Sequence, residues 1–231
     1  MLIFPIIVRN QPFYEAIMKA ELSGISIVML GSFNPKIFQP AWFAANELIR
    51  KLEAEEADTE IIHNDISIFR IGDWLRVEVT RDRFHASTEQ EAYFEVLVDF
   101  VLGTFSLLSH TPAGILGINT SMHYRIKNEK LWHKIGDKLA PKEPWNSLMR
   151  DPGMTRVEMQ DIRVDGPKGY LRVRVEPSTR ITPGILINTN DHYEVDDPKN
   201  ATGCSELMEI LNTNWKSSIY GVEDIAKTII G

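Results

Sequence analysis

Two short strings carry the residue types best suited to recognition chemistry. From Gly114 the chain reads Gly-Ile-Leu-Gly-Ile-Asn-Thr-Ser-Met-His-Tyr-Arg-Ile, and from Gly184 it reads Gly-Ile-Leu-Ile-Asn-Thr-Asn-Asp-His-Tyr-Glu-Val. One deletion, opposite Gly117, brings Gly, Ile, Leu, Ile, Asn, Thr, His and Tyr into the same order. Amides offer donors and acceptors together, and imidazoles exchange protons near neutral pH. An Asn and a His four residues apart can therefore hydrogen-bond a ligand or move a proton.

Read as strands, both strings place alternate side chains on one face. Ile118, Thr120, Met122, Tyr124 and Ile126 then face a core, as do Ile187, Thr189, Tyr193 and Val195. The opposite faces carry Asn119, Ser121, His123 and Arg125 in one string and Asn188, Asn190, His192 and Glu194 in the other. Asn119, His123, Arg125, Asn188, His192 and Glu194 are the candidate ligand- or partner-binding residues. Their two polar strips would meet across a pseudo-twofold axis and line a shared groove. The default alternative is a solvated face, because antiparallel sheets commonly leave one side to water.

Paired as acid and base, or around a metal, His123 and His192 would need further help. Zinc wants a third ligand at workable spacing. Asp191 points away from His192 along the strand, and Asp196-Asp197-Pro198 reads as a turn, so no metal and no cofactor are expected. His63, His85, His110 and His133 are scattered, with no serine or cysteine in a nucleophile-elbow sequence. There is no Walker-type run and no Gly-x-Gly-x-x-Gly. Gly31-Ser32-Phe33-Asn34-Pro35 reads as a plain strand-to-helix turn.

The elements that must position these residues follow from periodicity. Ile25 to Leu30 is a buried strand, and Pro40 to Glu56 has apolar residues at helical spacing. Residues 66–71 and 74–79 flank Gly72-Asp73, which predicts a two-residue type II′ hairpin pairing Ile71 with Trp74, Ile68 with Val77 and Ile66 with Val79. Thr88 and Glu91 form a capping-box signature ahead of the stripe Phe94, Leu97, Val98, Val101, Leu102, Phe105 and Leu108. A second hairpin spans Val157 to Val175, and helices are expected from about Asn128 and from about Cys204. The hairpins echo each other, Arg70-Ile71 and Trp74-Leu75-Arg76-Val77 against Arg163-Val164 and Tyr170-Leu171-Arg172-Val173. The expected fold is therefore α+β, a duplicated unit of order βαββα-βαββ-βα, with mostly antiparallel sheet and helices on one face. Residues 24–127 and 128–231 form the two halves, packed as one domain, and residues 1–23 form an appended segment.

The chain has 231 residues, 43% of them hydrophobic and 25% charged, the range of an ordinary globular domain. A formal charge of −7 repels phosphate backbones, so nucleic-acid binding is disfavoured. The single cysteine, Cys204, excludes an intrachain disulfide and points to a reducing, cytoplasmic setting. The apolar opening is interrupted by Pro5 and Arg9, far short of the ~20 residues that cross a bilayer, so neither a membrane span nor a signal peptide is expected. Lys142-Glu143-Pro144-Trp145 and Asp151-Pro152-Gly153 form a proline-rich connector; Trp42 or Trp145, if exposed, would mark a protein contact.

Arg83-Phe84 ahead of a long amphipathic helix, Gly117-Ile118-Asn119, and Ile187-Asn188-Thr189-Asn190 before a closing helix occur in an order with a counterpart elsewhere. Over residues 25–231 the chain resembles a sporadically distributed family of uncharacterised bacterial proteins with a Gly-Ile/Leu-Asn/Arg strand motif. Thr120-Ser121-Met122 replaces the Tyr-Ile-Asn portion of that motif. The resemblance assigns no catalytic residue, and it implies an accessory role such as phage defence or toxin control. The expected function is a non-enzymatic binding or assembly protein for a partner protein, a further copy of itself or a small ligand. An enzyme with a histidine-containing site between the two halves is the alternative.

Overall fold

The computed structural model describes residues 19–164 and 166–231. Most of the appended segment proposed above, residues 1–18, and Asp165 of the second hairpin turn lie outside them.

The elements are β1 (Leu22–Gly31), α1 (Pro40–Ala45), α2 (Lys51–Glu55), β2 (Asp58–Ile62), β3 (Ile66–Ile71), β4 (Leu75–Thr80) and β5 (Arg83–Thr88). They continue with α3 (Phe94–Leu107), β6 (Ala113–Arg125), α4 (Glu129–Leu139), β7 (Val157–Ile162), β8 (Gly169–Pro177), β9 (Gly184–Glu194) and α5 (Ser205–Ile230). The nine strands of the described residues join one antiparallel sheet in the order β2-β3-β4-β5-β1-β6-β9-β8-β7. The fold is α+β. Relative to the expected order the structure adds β2 and β5, and the predicted helix over 40–56 is two short helices separated at Glu47, whose φ is 60°.

Alternation decides which face each strand buries. Ile25, Ile27 and Met29 of β1, Phe84 and Ala86 of β5, Leu116, Ile118, Met122 and Tyr124 of β6, and Ile185, Ile187 and Tyr193 of β9 are buried on one side. That side meets the helices. Phe105 of α3 packs edge-on against Phe84 at 4.9 Å, Phe43 of α1 meets Phe100 at 4.8 Å, and α5 buries Leu207, Leu211, Trp215, Ile219 and Val222. Each fully buried Phe stabilises by about 3 kcal/mol or more relative to Ala. The predicted helical stripe of α3 holds, but its start does not. Thr88 ends β5 and accepts from Gln90 N at 3.2 Å, while a 3-10 turn over Glu91–Tyr93 leads into the helix.

The first hairpin also departs from its predicted register. Ile71 pairs with Leu75, so Gly72, Asp73 and Trp74 form a three-residue loop, and Phe69 rather than Ile68 faces Val77. A slip of one residue exchanges the faces of a strand. It puts Phe69 against Phe43 in the core at 5.7 Å, and Ser67 beneath the sheet, donating to Phe38 O at 2.6 Å. Gly72 takes φ 49° at the first loop position, where a side chain would be strained. Packing of the larger aromatic outweighs the shorter turn.

Around α4, Asn128 caps the helix through a hydrogen bond from Leu131 N to its Oδ1 at 2.9 Å, and Trp132 Nε1 donates to Gly184 O at 2.9 Å. That bond ties α4 to the start of β9. Under β9, Asp191 is buried and accepts from Tyr193 Oη at 2.9 Å, Ser218 Oγ at 2.6 Å and Arg163 Nη2. One carboxylate thus fastens the sheet, α5 and the segment following β7.

Candidate functional site

The other face of the sheet is polar, and the strand register arranges its side chains in transverse rows. One row runs Arg76, Ser87, Ser26, Asn119, Asn190, Arg172 and Gln160, crossing from β4 to β7 one strand at a time. The next runs Gly24, Ser121, Asn188, Arg174 and Glu158. On the far side of the first lies His85, Val28, Gly117, His192 and Tyr170. Glycines at 24 and 117 leave out two side chains that would otherwise stand among these rows.

These rows floor a groove of about 460 Å³ lined by residues of β1, β5, β6, β7, β8 and β9, among them Ser26, His85, Ser87, Asn119, Ser121, Asn188, Asn190, Arg172, Arg174 and Glu158. Asn190 Nδ2 donates to Asn119 Oδ1 at 2.5 Å, and Asn119 Nδ2 donates to Ser26 Oγ at 3.3 Å. The floor is a chain of neutral amides held in one orientation. Arg172 donates to Gln160 Oε1 at 2.8 Å and stands 3.8 Å from Glu158, while Arg174 stands 3.5 Å from Glu176.

Among the described residues, three buried nitrogens on this lining have no protein partner: His85 Nδ1, Arg174 Nε and Asn188 Nδ2. Buried polar atoms are hydrogen-bonded in the great majority of cases, so three such nitrogens on the residues of one groove stand out. Burial pushes the His85 pKa down to about 4, assisted by Arg83 and Arg76 and opposed by Glu78. The imidazole is neutral at pH 7.

Of the residues chosen from the sequence, Asn119 and Asn188 line the groove. His123 does not. It is buried at 5% exposure and pairs in register with Leu186, six residues from His192 on β9. At about 3.4 Å per residue the two histidines stand roughly 20 Å apart, beyond a direct relay. Ser178 Oγ accepts from Arg180 N at 3.1 Å and Ile181 N at 3.0 Å, which leaves its proton for His123 Nδ1 at 2.8 Å. Burial and nearby Arg180 lower the pKa of His123. His192 stacks on Tyr170 at 4.3 Å and bonds Glu194 at 2.9 Å through Nε2. Arg125 lies at the strand end, where it holds the exposed Glu21 through two bonds of 2.6 and 2.7 Å.

Sequence reasoning missed Ser26, His85, Arg172, Arg174 and Glu158 as site residues. Their only signal was strand alternation; which strands become neighbours is a property of the topology. Among the described residues no group of three His, Cys, Asp or Glu could hold a metal ion, and no helix is long and apolar enough to cross a membrane. Cys204 is buried beneath α3, and burial pushes its thiol up to about 11.

The sheet is thus backed by helices on one face and carries an amide-floored groove on the other. Neither a protein-family model nor a curated protein matches the sequence.

Proposed function

We propose that this chain is a binding protein whose groove takes a small polar ligand, without chemistry on it. The observation that carries the reading is that three buried, unpartnered nitrogens, His85 Nδ1, Arg174 Nε and Asn188 Nδ2, belong to residues lining one groove. Binding is favoured over the enzyme alternative because His123 and His192, its candidate acid and base, stand roughly 20 Å apart. We also read the chain as a duplicated unit in which β6 and β9 correspond, each preceded by a hairpin, β3-β4 or β7-β8, and followed by a helix, α4 or α5. An accessory role in a bacterial cell fits a module that recognises without transforming.

The test is equilibrium ultrafiltration with a small-molecule extract of bacterial cells, followed by mass spectrometry. The native chain should retain a narrow set of polar compounds, and Asn119→Leu/Asn190→Leu, which removes both members of the floor bond, should retain at least about tenfold less. Identical sets from both proteins would overturn the reading.

A second reading, contact with a protein partner, is favoured by one observation. Trp145, Leu148 and Met149 stand 47%, 76% and 52% exposed together on the connector after α4. Replacing all three with Ser should release any such partner and leave ligand retention unchanged.

A further inference from the structure

The two unpartnered donors of the groove are not spread along it. Arg174 and Asn188 sit directly opposite one another on β8 and β9, so Arg174 Nε and Asn188 Nδ2 belong to one register pair. Both nitrogens can only donate, and both are buried. The Arg174 side chain is itself 38% exposed, so a ligand oxygen meets its guanidinium, with the Asn188 amide directly across the strand pair. Hydrogen bonds to a charged partner contribute more than neutral ones.

Resting on the ligand-binding reading above, we infer that the Arg174–Asn188 pair is a carboxylate subsite, so that the ligand class is a small polar carboxylic acid. Its acid group sits at this pair, and its hydroxyl or amide body lies along Asn119 and Asn190. Charge decides between carboxylate and phosphate. Glu176 stands 3.5 Å from Arg174, and Glu158 stands 3.8 Å from Arg172. Each guanidinium is thus part-neutralised from its own side, which suits a single negative charge and opposes a dianion. The orientation of the body follows from the floor. Asn190 uses an amide hydrogen on Asn119 and keeps its carbonyl oxygen for a donor from the ligand.

The test is titration of the 15N-labelled full chain, followed through the side-chain resonances of the Arg174 Nε–H and the Asn188 amide. The probes are acetate, inorganic phosphate and glucose at matched ionic strength. Acetate should shift both resonances saturably, and Arg174→Gln should weaken its binding at least about tenfold while backbone amide positions away from the groove stay in place. Arg174→Lys, which keeps the charge without the planar fork, should fall between. Phosphate binding tighter than acetate would overturn the choice of carboxylate. Glucose shifting Asn119 and Asn190 while acetate leaves Arg174 and Asn188 unmoved would overturn the subsite and leave the groove's binding role standing. Unmoved Arg174 and Asn188 resonances with every probe would likewise overturn the subsite.

Discussion

Thr120 and Thr189 face one another across β6 and β9 with their hydroxyl oxygens 2.7 Å apart in the core. The pair lies on the local dyad that relates any two antiparallel neighbours. Counting outward from it, Tyr124 falls where Tyr193 does, His123 where His192 does, and Asn119 where Asn188 does. Both tyrosines are buried, at 2% and 1% exposure. The likeness of the two strings is therefore the likeness of two strands facing each other. It sets the polar strips side by side. A single change, Thr189→Val, leaves the Thr120 hydroxyl without its partner and should cost about 1–3 kcal/mol, while Thr120→Val/Thr189→Val should recover most of that loss. Urea unfolding of the three variants measures the coupling; additive losses would contradict it.

Asp191→Ala should be the most destabilising polar change in the molecule, at about 3 kcal/mol, because it strands a partly buried guanidinium and two hydroxyls beneath the sheet. Its loss should loosen α5 first. Hydrogen exchange would then rise along α5 before it rises in β3 and β4, whereas uniform acceleration would refute the local anchor.

Replacing His123 with Ala should lower stability by about 1–3 kcal/mol, since Ser178 loses its acceptor in a buried setting. Arg125→Ala, at an exposed ion pair, should cost no more than about 1 kcal/mol. The sequence places both residues on a polar face as equals, and melting temperatures should separate them.

The depressed pKa of His85 makes a pH prediction with a definite sign. Its folded value, about 4, lies below the ordinary value of 6.5, so the unfolded chain binds the proton more readily. The stability contribution is full above pH 6.5 and is lost as pH falls from 6.5 towards 4. His123, lowered for the same reason, acts in the same direction. His85→Gln should flatten part of the decline in denaturant midpoint over that window; an unchanged slope would show that His85 is solvated.

Much of the fold is legible in the chain. Alternation in residues 114–126 and 184–195 tells the core face from the open one, and the spacing of Phe94, Leu97, Val98, Val101 and Phe105 announces α3. Less legible is β2, an edge strand exposed at all five positions and therefore without alternation to read. The first hairpin misleads because Ile66 and Ile68 look like core residues, yet the core takes Phe69. Half of the site was equally hidden. His85 and Arg174 lie 89 residues apart in sequence, and only the insertion of β1, β6 and β9 between their strands brings them to one groove.

The central claim is that this groove receives a polar ligand, and a high-resolution crystal structure of the chain recovered from incubation with a bacterial small-molecule extract tests it most directly. The expected result is a bound molecule on the open face, hydrogen-bonded to the Arg174 guanidinium and the Asn188 amide and lying along Asn119 and Asn190. Finding only solvent over these four residues would contradict it.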